Sequence, residues 1–451
     1  MKKTGLAIIE SVKTLLFSEQ LKEDCRTKPT YFTRKRVLVF PVMVGFLLNM
    51  LTKSLQREIE RFLTVLKGDT GSVSVTAQAV GKARKKFSEQ AFIRLDERLV
   101  EEFYTDNTST TWHGYRVLGI DGSTVQLPMS EEIVKEFGGV SNQHGLVMAM
   151  AKISVAFDVE NEISVHALID RYTSEERTLA LQHLEAVRDF DTRTQGHRGH
   201  QNDLLLCDMG YPALYVMAVL ILWGKDFVIR TSDAFLKEVQ EAIQADGNDL
   251  EIQIPVQTPE RPLPKKLVSW VPDVDPEMVL SLRVVKLTLD NGTHETLLTT
   301  LRTPTEIPAH EFQGLYATRW GSEGHYDVLK NILEIENFTG LSARSVRQDF
   351  YATVLTNTIR ALIHCELQDE VNKENQQSSR RYQYQLNRNL SIGRLKDQMI
   401  TLVLNQGDLT AFYTELKCQM KRNMLPIRPG RHFPRKRKNH QKYTMSKKRA
   451  L

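Results

Sequence analysis

Apolar residues recur at helical spacing through residues 7–17, 37–66 and 74–103, broken by the loop KGDTGS at 67–72. The first 110 residues therefore read as mainly helical. Within them, VTAQAVGKARKKFSEQAFIRLDERLV suggests two short helices with a basic junction, which suits a helix-turn-helix or a plain bundle. After Trp112 the period changes. YRVLGIDGSTVQL reads as a strand entering a turn, with Asp121 ending or interrupting it, and KISVAFDVENEISVHALI (152–169) reads as two strands joined at Asn161–Glu162. A helix is expected over 174–189, capped by Ser174 with acids in its first turn. LLLCDMGY (204–211) is a short buried-type strand, PALYVMAVLILWG a crossover helix with Pro212 at its start, and DFVIRTS (226–232) another strand. Three strands, helix, strand, helix, strand predict an α/β unit with a mixed sheet.

Residues 233–305 interrupt that rhythm with prolines and alternating segments, LEIQIPV, LSLRVVKLTL and ETLLTTL, around the turn DNG at 290–292. They are expected to form a β-rich insertion. A helix resumes near Pro308 and another covers about 344–366. The polar run DEVNKENQQSSRRYQYQ (369–385) reads as a loop or linker, and 393–423 as an amphipathic helical region.

On the helix after Pro308, YATRWGSEGHYDVLK (316–330) places Tyr316, Arg319, Glu323 and Lys330 three, four and seven residues apart. At 100° per residue they fall within an arc of about 60° on an ideal α-helix. By itself such a stripe is usually a solvated face.

Charge sharpens the picture. The chain of 451 residues carries a formal +5, yet Lys421 to Leu451 holds twelve Lys/Arg and no Asp/Glu, leaving −7 for residues 1–420. The tail contains Arg435, Lys436, Arg437 and Lys438, and a second basic run holds Arg84, Lys85 and Lys86. Both are candidate polyanion-binding segments. Four well-separated cysteines form no zinc pattern and suit a reducing compartment. The apolar run 37–51 carries Pro41, Gly45 and Asn49 and falls short of the roughly 20 residues a bilayer needs, so a buried helix and a soluble, cytoplasmic protein are expected, with no membrane partner.

Three acids stand out by position: Asp121 after VLGI, Asp208 closing LLLC at the carboxyl end of a later strand, and Glu323 in the stripe. Brought together, three carboxylates repel one another unless cations neutralise them. Oxygen-only ligands suit Mg²⁺ or Mn²⁺ rather than Zn²⁺, and two such ions form the clamp used for in-line displacement at phosphorus.

These residues resemble the DDE transposases of bacterial insertion sequences, specifically the YREK-bearing group (insertion sequence family four). IDGST around Asp121, CDMGY around Asp208 and the ordered set Tyr316, Arg319, Glu323 and Lys330 carry the likeness, which extends from roughly 110 to 400. The resemblance implies a ribonuclease H-like mixed-sheet core, with Asp121, Asp208 and Glu323 holding two Mg²⁺ (or Mn²⁺). Tyr316, Arg319 and Lys330 would hold transposon-end phosphates, while Trp320 either stacks on a base or packs in the core. It also implies double-stranded DNA partners (terminal inverted repeats and target), a homodimer in the DNA complex, and work at the nucleoid. The expected α/β multidomain organisation is a helical DNA-binding region at 1–110, a core at 111–232 and 306–370, the β-rich insertion at 233–305, and a helical C-terminal region with basic tail at 371–451. The rival readings are a catalytically inactive or domesticated DNA-binding regulator and a ribonuclease H-like nuclease.

Overall fold

The computed structural model describes residues 4–34, 36–49, 54–67, 74–105, 109–141, 145, 147–193, 202–289 and 292–428. The basic tail, with Arg435, Lys436, Arg437 and Lys438, lies outside them. Six helices come first: α1 (Gly5–Leu16), α2 (Glu19–Cys25), α3 (Phe40–Leu48), α4 (Leu55–Lys67), α5 (Ala77–Arg84) and α6 (Gln90–Thr105). Thr4, Ser18 and Thr76 cap α1, α2 and α5 by accepting backbone N–H bonds. The 37–51 run yields α3, whose Phe40, Met43, Phe46 and Leu48 are buried. No helix of the described residues is long and apolar enough to cross a membrane.

A nine-stranded sheet follows: β1 (Tyr115–Gln126), β2 (Gly139–Ser141), β3 (Val147–Asp158), β4 (Ile163–Arg171), β5 (Asn202–Cys207), β6 (Asp226–Thr231), β7 (Asp249–Pro255), β8 (Val279–Thr288) and β9 (His294–Thr299). Its order is β2-β3-β1-β5-β6-β9-β8-β7, with β4 also on β3. β1 runs antiparallel to β3 and parallel to β5, and β5 runs parallel to β6. The sheet is therefore mixed, as the element order predicted.

The strands of 233–305 do not form a sheet of their own. β9 pairs antiparallel with β6, so β9, β8 and β7 extend the central sheet and satisfy the backbone groups of the β6 edge. Arg283 locks this extension to the following segment. Its guanidinium is fully buried, pairs with Asp249, donates to the carbonyls of Leu301 and Ile307, and lies 5.1 Å from the Phe312 ring centroid.

The intervening helices are α7 (Glu131–Phe137), α8 (Glu176–Arg193), α9 (Leu214–Leu222), α10 (Lys237–Gln244) and α11 (Lys265–Trp270). Ser174 does not cap α8 as expected; its hydroxyl donates to Asp170, and the helix begins two residues later. After the sheet come α12 (Glu311–Ala317), α13 (Trp320–Asp327), α14 (Ala343–Gln377), α15 (Arg388–Leu404) and α16 (Thr410–Lys421).

Two expectations change here. The run 369–385 is not all loop: α14 continues to Gln377 because Val371 is buried and Lys417 and Lys421 of α16 pair with Glu366, Glu370 and Glu374 along one α14 face. Moreover, the helices expected as separate N- and C-terminal regions share one apolar core, in which Ile8, Phe46 and Leu99 join Leu355, Met399 and Leu416.

Candidate active site

The parallel register of β1 on β5 ends at Ile120↔Cys207. The next residue on each chain is an aspartate, so Asp121 and Asp208 emerge side by side where β5 stops. β1 itself continues to Gln126, paired with β3 through Asp121↔Val155, so Asp121 lies within a strand rather than at its end. β3 satisfies the backbone on one edge of β1, while the loss of β5 opens the other.

Helix α13 lies against β1 at this point. A Cβ on Gly119 would come 2.2 Å from Ser322 Oγ, so glycine permits the approach. The Asp121 carbonyl accepts both the Tyr326 hydroxyl (2.7 Å) and Ser154 Oγ (3.0 Å), fastening helix and both strands at one atom. The stretch 316–330 is not one ideal helix. Turns with three-residue spacing join α12 to α13 at 318–321, and Val328–Ile332 forms a π-turn closed by Leu333 N–H on the Val328 carbonyl. Tyr316, Arg319 and Glu323 stay in mutual reach through Arg319, while Lys330 beyond the π-turn goes to β1. Tyr316 is buried and donates to the Cys207 carbonyl at 3.3 Å. Arg319 is buried beside Glu323, with 3.3 Å between Nη2 and Oε1. The π-turn directs Lys330 to Ser123 Oγ and the Thr124 carbonyl at 2.7 and 2.8 Å. Trp320 is 51% exposed, with the Arg319 guanidinium 5.2 Å from its ring, so it is not a core residue.

The electrostatics bind these groups together. Burial pushes the Asp121 carboxyl up to about 6, and the charges of Glu176 and Glu323 add to that, against the Gly122 N–H and Arg319. Asp208 accepts the Met209 N–H at 2.6 Å and pairs with Arg230 of β6 at 3.0 Å, while Arg230 also holds Glu295 of β9 at 2.6 Å. The β9 extension thus braces the cation that faces Asp208. Burial lowers the affinity of the Lys330 ammonium for its proton and raises that of the Tyr316 phenol.

The other expected DNA contacts separate. Arg84 is buried, with its guanidinium on Gln348, Thr339, the Ser345 carbonyl and Asp349. Every one of those bonds goes to α14 or the turn before it, so the structure makes Arg84 a clamp between helices rather than a DNA-facing cation. Lys85 is exposed, and Lys86 is half-buried over the Tyr31 ring. Lys85 lines a cleft of about 540 Å³ together with Lys82 and Arg344, but none of the acids does.

Glu176, Lys152 and Arg230 escaped the sequence reading. Glu176 passed for an ordinary first-turn acid, and the other two sit in alternating strands with no distinguishing spacing. Pairing register alone brings them to the aspartates.

A family model described as "Transposase DDE domain" matches residues 112–357. A search of the curated proteins finds no match. Among solved structures, the chain is similar to the piggyBac transposase in a synaptic complex with hairpin DNA, seen by cryo-electron microscopy. That likeness covers 92% of this chain and 83% of that one, at 10% identity and a TM-score of 0.41. The family match spans more than half of the chain and runs from before β1 into α14, taking in both aspartates and the Glu323 helix, and on it the chain belongs to the transposase DDE domain family.

Proposed function

We propose that this protein is a cut-and-paste transposase of the YREK-bearing group, which cuts and joins DNA at insertion-sequence ends on a ribonuclease H-like core. The observation that carries the reading is the register that sets Asp121 beside Asp208, with the Glu323 helix fastened to the Asp121 carbonyl. Two carboxylates at the ends of parallel strands and a third from a packed helix are the donors a hard divalent ion needs.

Among the described residues, no three His, Cys, Asp or Glu side chains are already gathered closely enough to hold a metal ion. Asp208 is turned to Arg230 and Glu323 to Arg319. The fit is one of donor type and placement: all three donors are carboxylate oxygens, and the burial that mainly pushes Asp121 upward, with a smaller part from the nearby acids, is a cost a cation offsets. Asp121, Asp208 and Glu323 would hold two Mg²⁺, with Mn²⁺ as a substitute, and the ions would supply Lewis-acid charge at the scissile phosphodiester.

The chain's own residues position the DNA. Arg319 lies near the Tyr316 and Trp320 rings, 5.6 and 5.2 Å from their centroids, which together with its Glu323 pairing sets its plane. Lys330, held on β1 beyond Asp121, offers a second cation. Such contacts give register on the backbone without reading bases. Hydrolysis at the transposon end frees a 3′-hydroxyl, which attacks the opposite strand to form a hairpin; a second hydrolysis reopens the hairpin and restores the 3′-hydroxyl that joins to target DNA. Because two ends must be cut together, a homodimer on double-stranded terminal repeats is the working unit.

The test is Mg²⁺-dependent cleavage of a duplex carrying the terminal repeat, resolved on a denaturing gel. Asp121→Asn, Asp208→Asn and Glu323→Gln should each abolish cutting. Uncut DNA with wild-type protein, or full cutting by these variants, sinks the assignment; nicks without hairpins remove that step alone.

A further inference from the structure

Glu176 opens α8 at the same end of the sheet as the two aspartates. Its side chain runs over the backbone beside both. A Cβ on Gly122 would lie 3.2 Å from Glu176 Cγ and 3.3 Å from Oε1, and one on Gly210 would lie 3.6 Å from Oε2. Those glycines stand one residue after Asp121 and two after Asp208, so the carboxylate lies against the backbone next to both aspartates, and its charge reaches Asp121. Oε1 pairs with Lys152 Nζ at 3.1 Å, whereas Oε2 accepts no hydrogen bond among the described residues. The side chain is 38% exposed and is open to a ligand arriving from solvent.

A second observation concerns Tyr211, in the same DMGY block as Asp208. The residue is 1% exposed and its hydroxyl has no hydrogen-bond partner. It lies within electrostatic reach of Asp121, Cys207, Glu176 and Tyr326. A buried phenol without an acceptor costs free energy, and its persistence beside carboxylates points to a partner that arrives with a ligand.

We propose that Glu176 is a fourth carboxylate of the divalent-metal site, shared with Asp121 and Asp208, and that Lys152 occupies it electrostatically until the ion enters. The inference rests on the reading of Asp121, Asp208 and Glu323 as metal-binding groups. Lys152 projects from β3 opposite Thr124, so its ammonium reaches Glu176 across β1 and supplies the positive charge that an ion would replace. Tyr211 supplies the hydrogen bond that fixes a carboxylate once it has turned inward. The bland alternative is that Glu176 is merely the counterion of Lys152.

The two readings diverge when the glutamate is neutralised: a ligand's loss weakens ion binding, whereas the loss of a mere counterion leaves the ion's own donors intact. Mn²⁺ is titrated calorimetrically into the full-length protein without DNA, for wild type, Glu176→Gln, Lys152→Met, Asp121→Asn and Glu323→Gln, with circular dichroism in EDTA confirming the fold. Glu176→Gln should weaken Mn²⁺ binding by about tenfold or more, and Lys152→Met should tighten it. If Asp121→Asn weakens binding while Glu176→Gln leaves it unchanged, the fourth-ligand proposal is overturned and the three-acid site stands. Unchanged binding in both Asp121→Asn and Glu323→Gln removes the three-acid site itself. Should Glu176→Gln not fold, Glu176→Ala takes its place in the same titration: weaker binding supports the proposal, and unchanged binding overturns it.

Discussion

Tyr326 donates its hydroxyl to the backbone carbonyl of Asp121 across 205 residues of sequence, at 2.7 Å. The tyrosine lies three positions after Glu323, so one hydrogen bond sets the height of the third acid above the first. Tyr326→Phe keeps the buried ring and removes that bond. Stability should fall by about 1 kcal/mol, because the carbonyl retains Ser154 Oγ, and cleavage should fall disproportionately as Glu323 drifts. Urea midpoints and cleavage rates at saturating Mg²⁺ check this; equal loss in both, or none in cleavage, would contradict it.

Gly119 is the closest approach of α13 to the sheet. Gly119→Ala sets a methyl 2.2 Å from Ser322 Oγ and should cost about 1–3 kcal/mol. Ser322 Oγ is buried without a partner, so Ser322→Ala alone should be neutral or slightly stabilising. Combined, the two should recover part of the loss, since Val159 Cγ1 still lies 3.2 Å from the added methyl. A double-mutant cycle on thermal midpoints measures the coupling.

Arg84 and Lys85 are neighbours with opposite fates. Arg84→Met breaks a buried ion pair with Asp349 and should destabilise by about 3–5 kcal/mol, without altering the salt dependence of DNA binding. Lys85→Ala should change stability by less than about 0.5 kcal/mol. If Lys85 meets phosphate, its loss should lower the slope of log affinity against log salt by about one. The two measurements together separate a clamp from a contact.

Below β1, Arg116 and Lys225 share the buried acids Asp203 and Asp191. Arg116 and Lys225 hold Asp203 well below the usual carboxylate range. The unfolded chain therefore takes up this proton first: the stabilisation is complete above the ordinary carboxylate pKa of about 4 and is lost progressively at lower pH. Asp203→Asn should cost about 3–5 kcal/mol near neutrality and flatten the acid limb below pH of about 4, read from urea midpoints against pH.

The buried pair His166–His183 predicts a separate limb. Their Nδ1 atoms are 2.8 Å apart, and His183 Nε2 lies 2.9 Å from Ser154 Oγ, the group bonded to the Asp121 carbonyl. Burial pushes His166 down to about 4 and His183 well below its ordinary value. Both are neutral in the fold where the unfolded chain would be protonated, so stability is full above about pH 6.5 and falls as pH drops towards 4. A midpoint independent of pH across that window would show that the pair is not buried as neutral rings.

Some of this was legible in the chain because it depends on local order. Apolar periodicity gave the helices and strands in sequence, and Asp121, Asp208, Glu323 and the Tyr316–Lys330 spacing were visible as residue types at fixed separations. Where spacing was translated directly into geometry, it misled. The ideal wheel placed four side chains on one arc, but the helix is interrupted twice: Arg319 still links Tyr316 and Glu323, while the π-turn sends Lys330 to β1. Arg84 and Lys85 read alike in a basic run, but the helix phase buries one and exposes the other. Glu176, Lys152 and Arg230 carried no signal, since nothing local distinguishes a first-turn glutamate or a strand lysine from its neighbours. Strand register and helix packing bring Arg230 to Asp208 across 22 residues and Glu176 to Asp121 across 55, and these depend on which backbone edges find partners and how closely a glycine lets a helix approach. The sequence by itself determined which groups were present and in what order. The tertiary structure decided which of them meet, because long-range pairing, not periodicity, fixes distance.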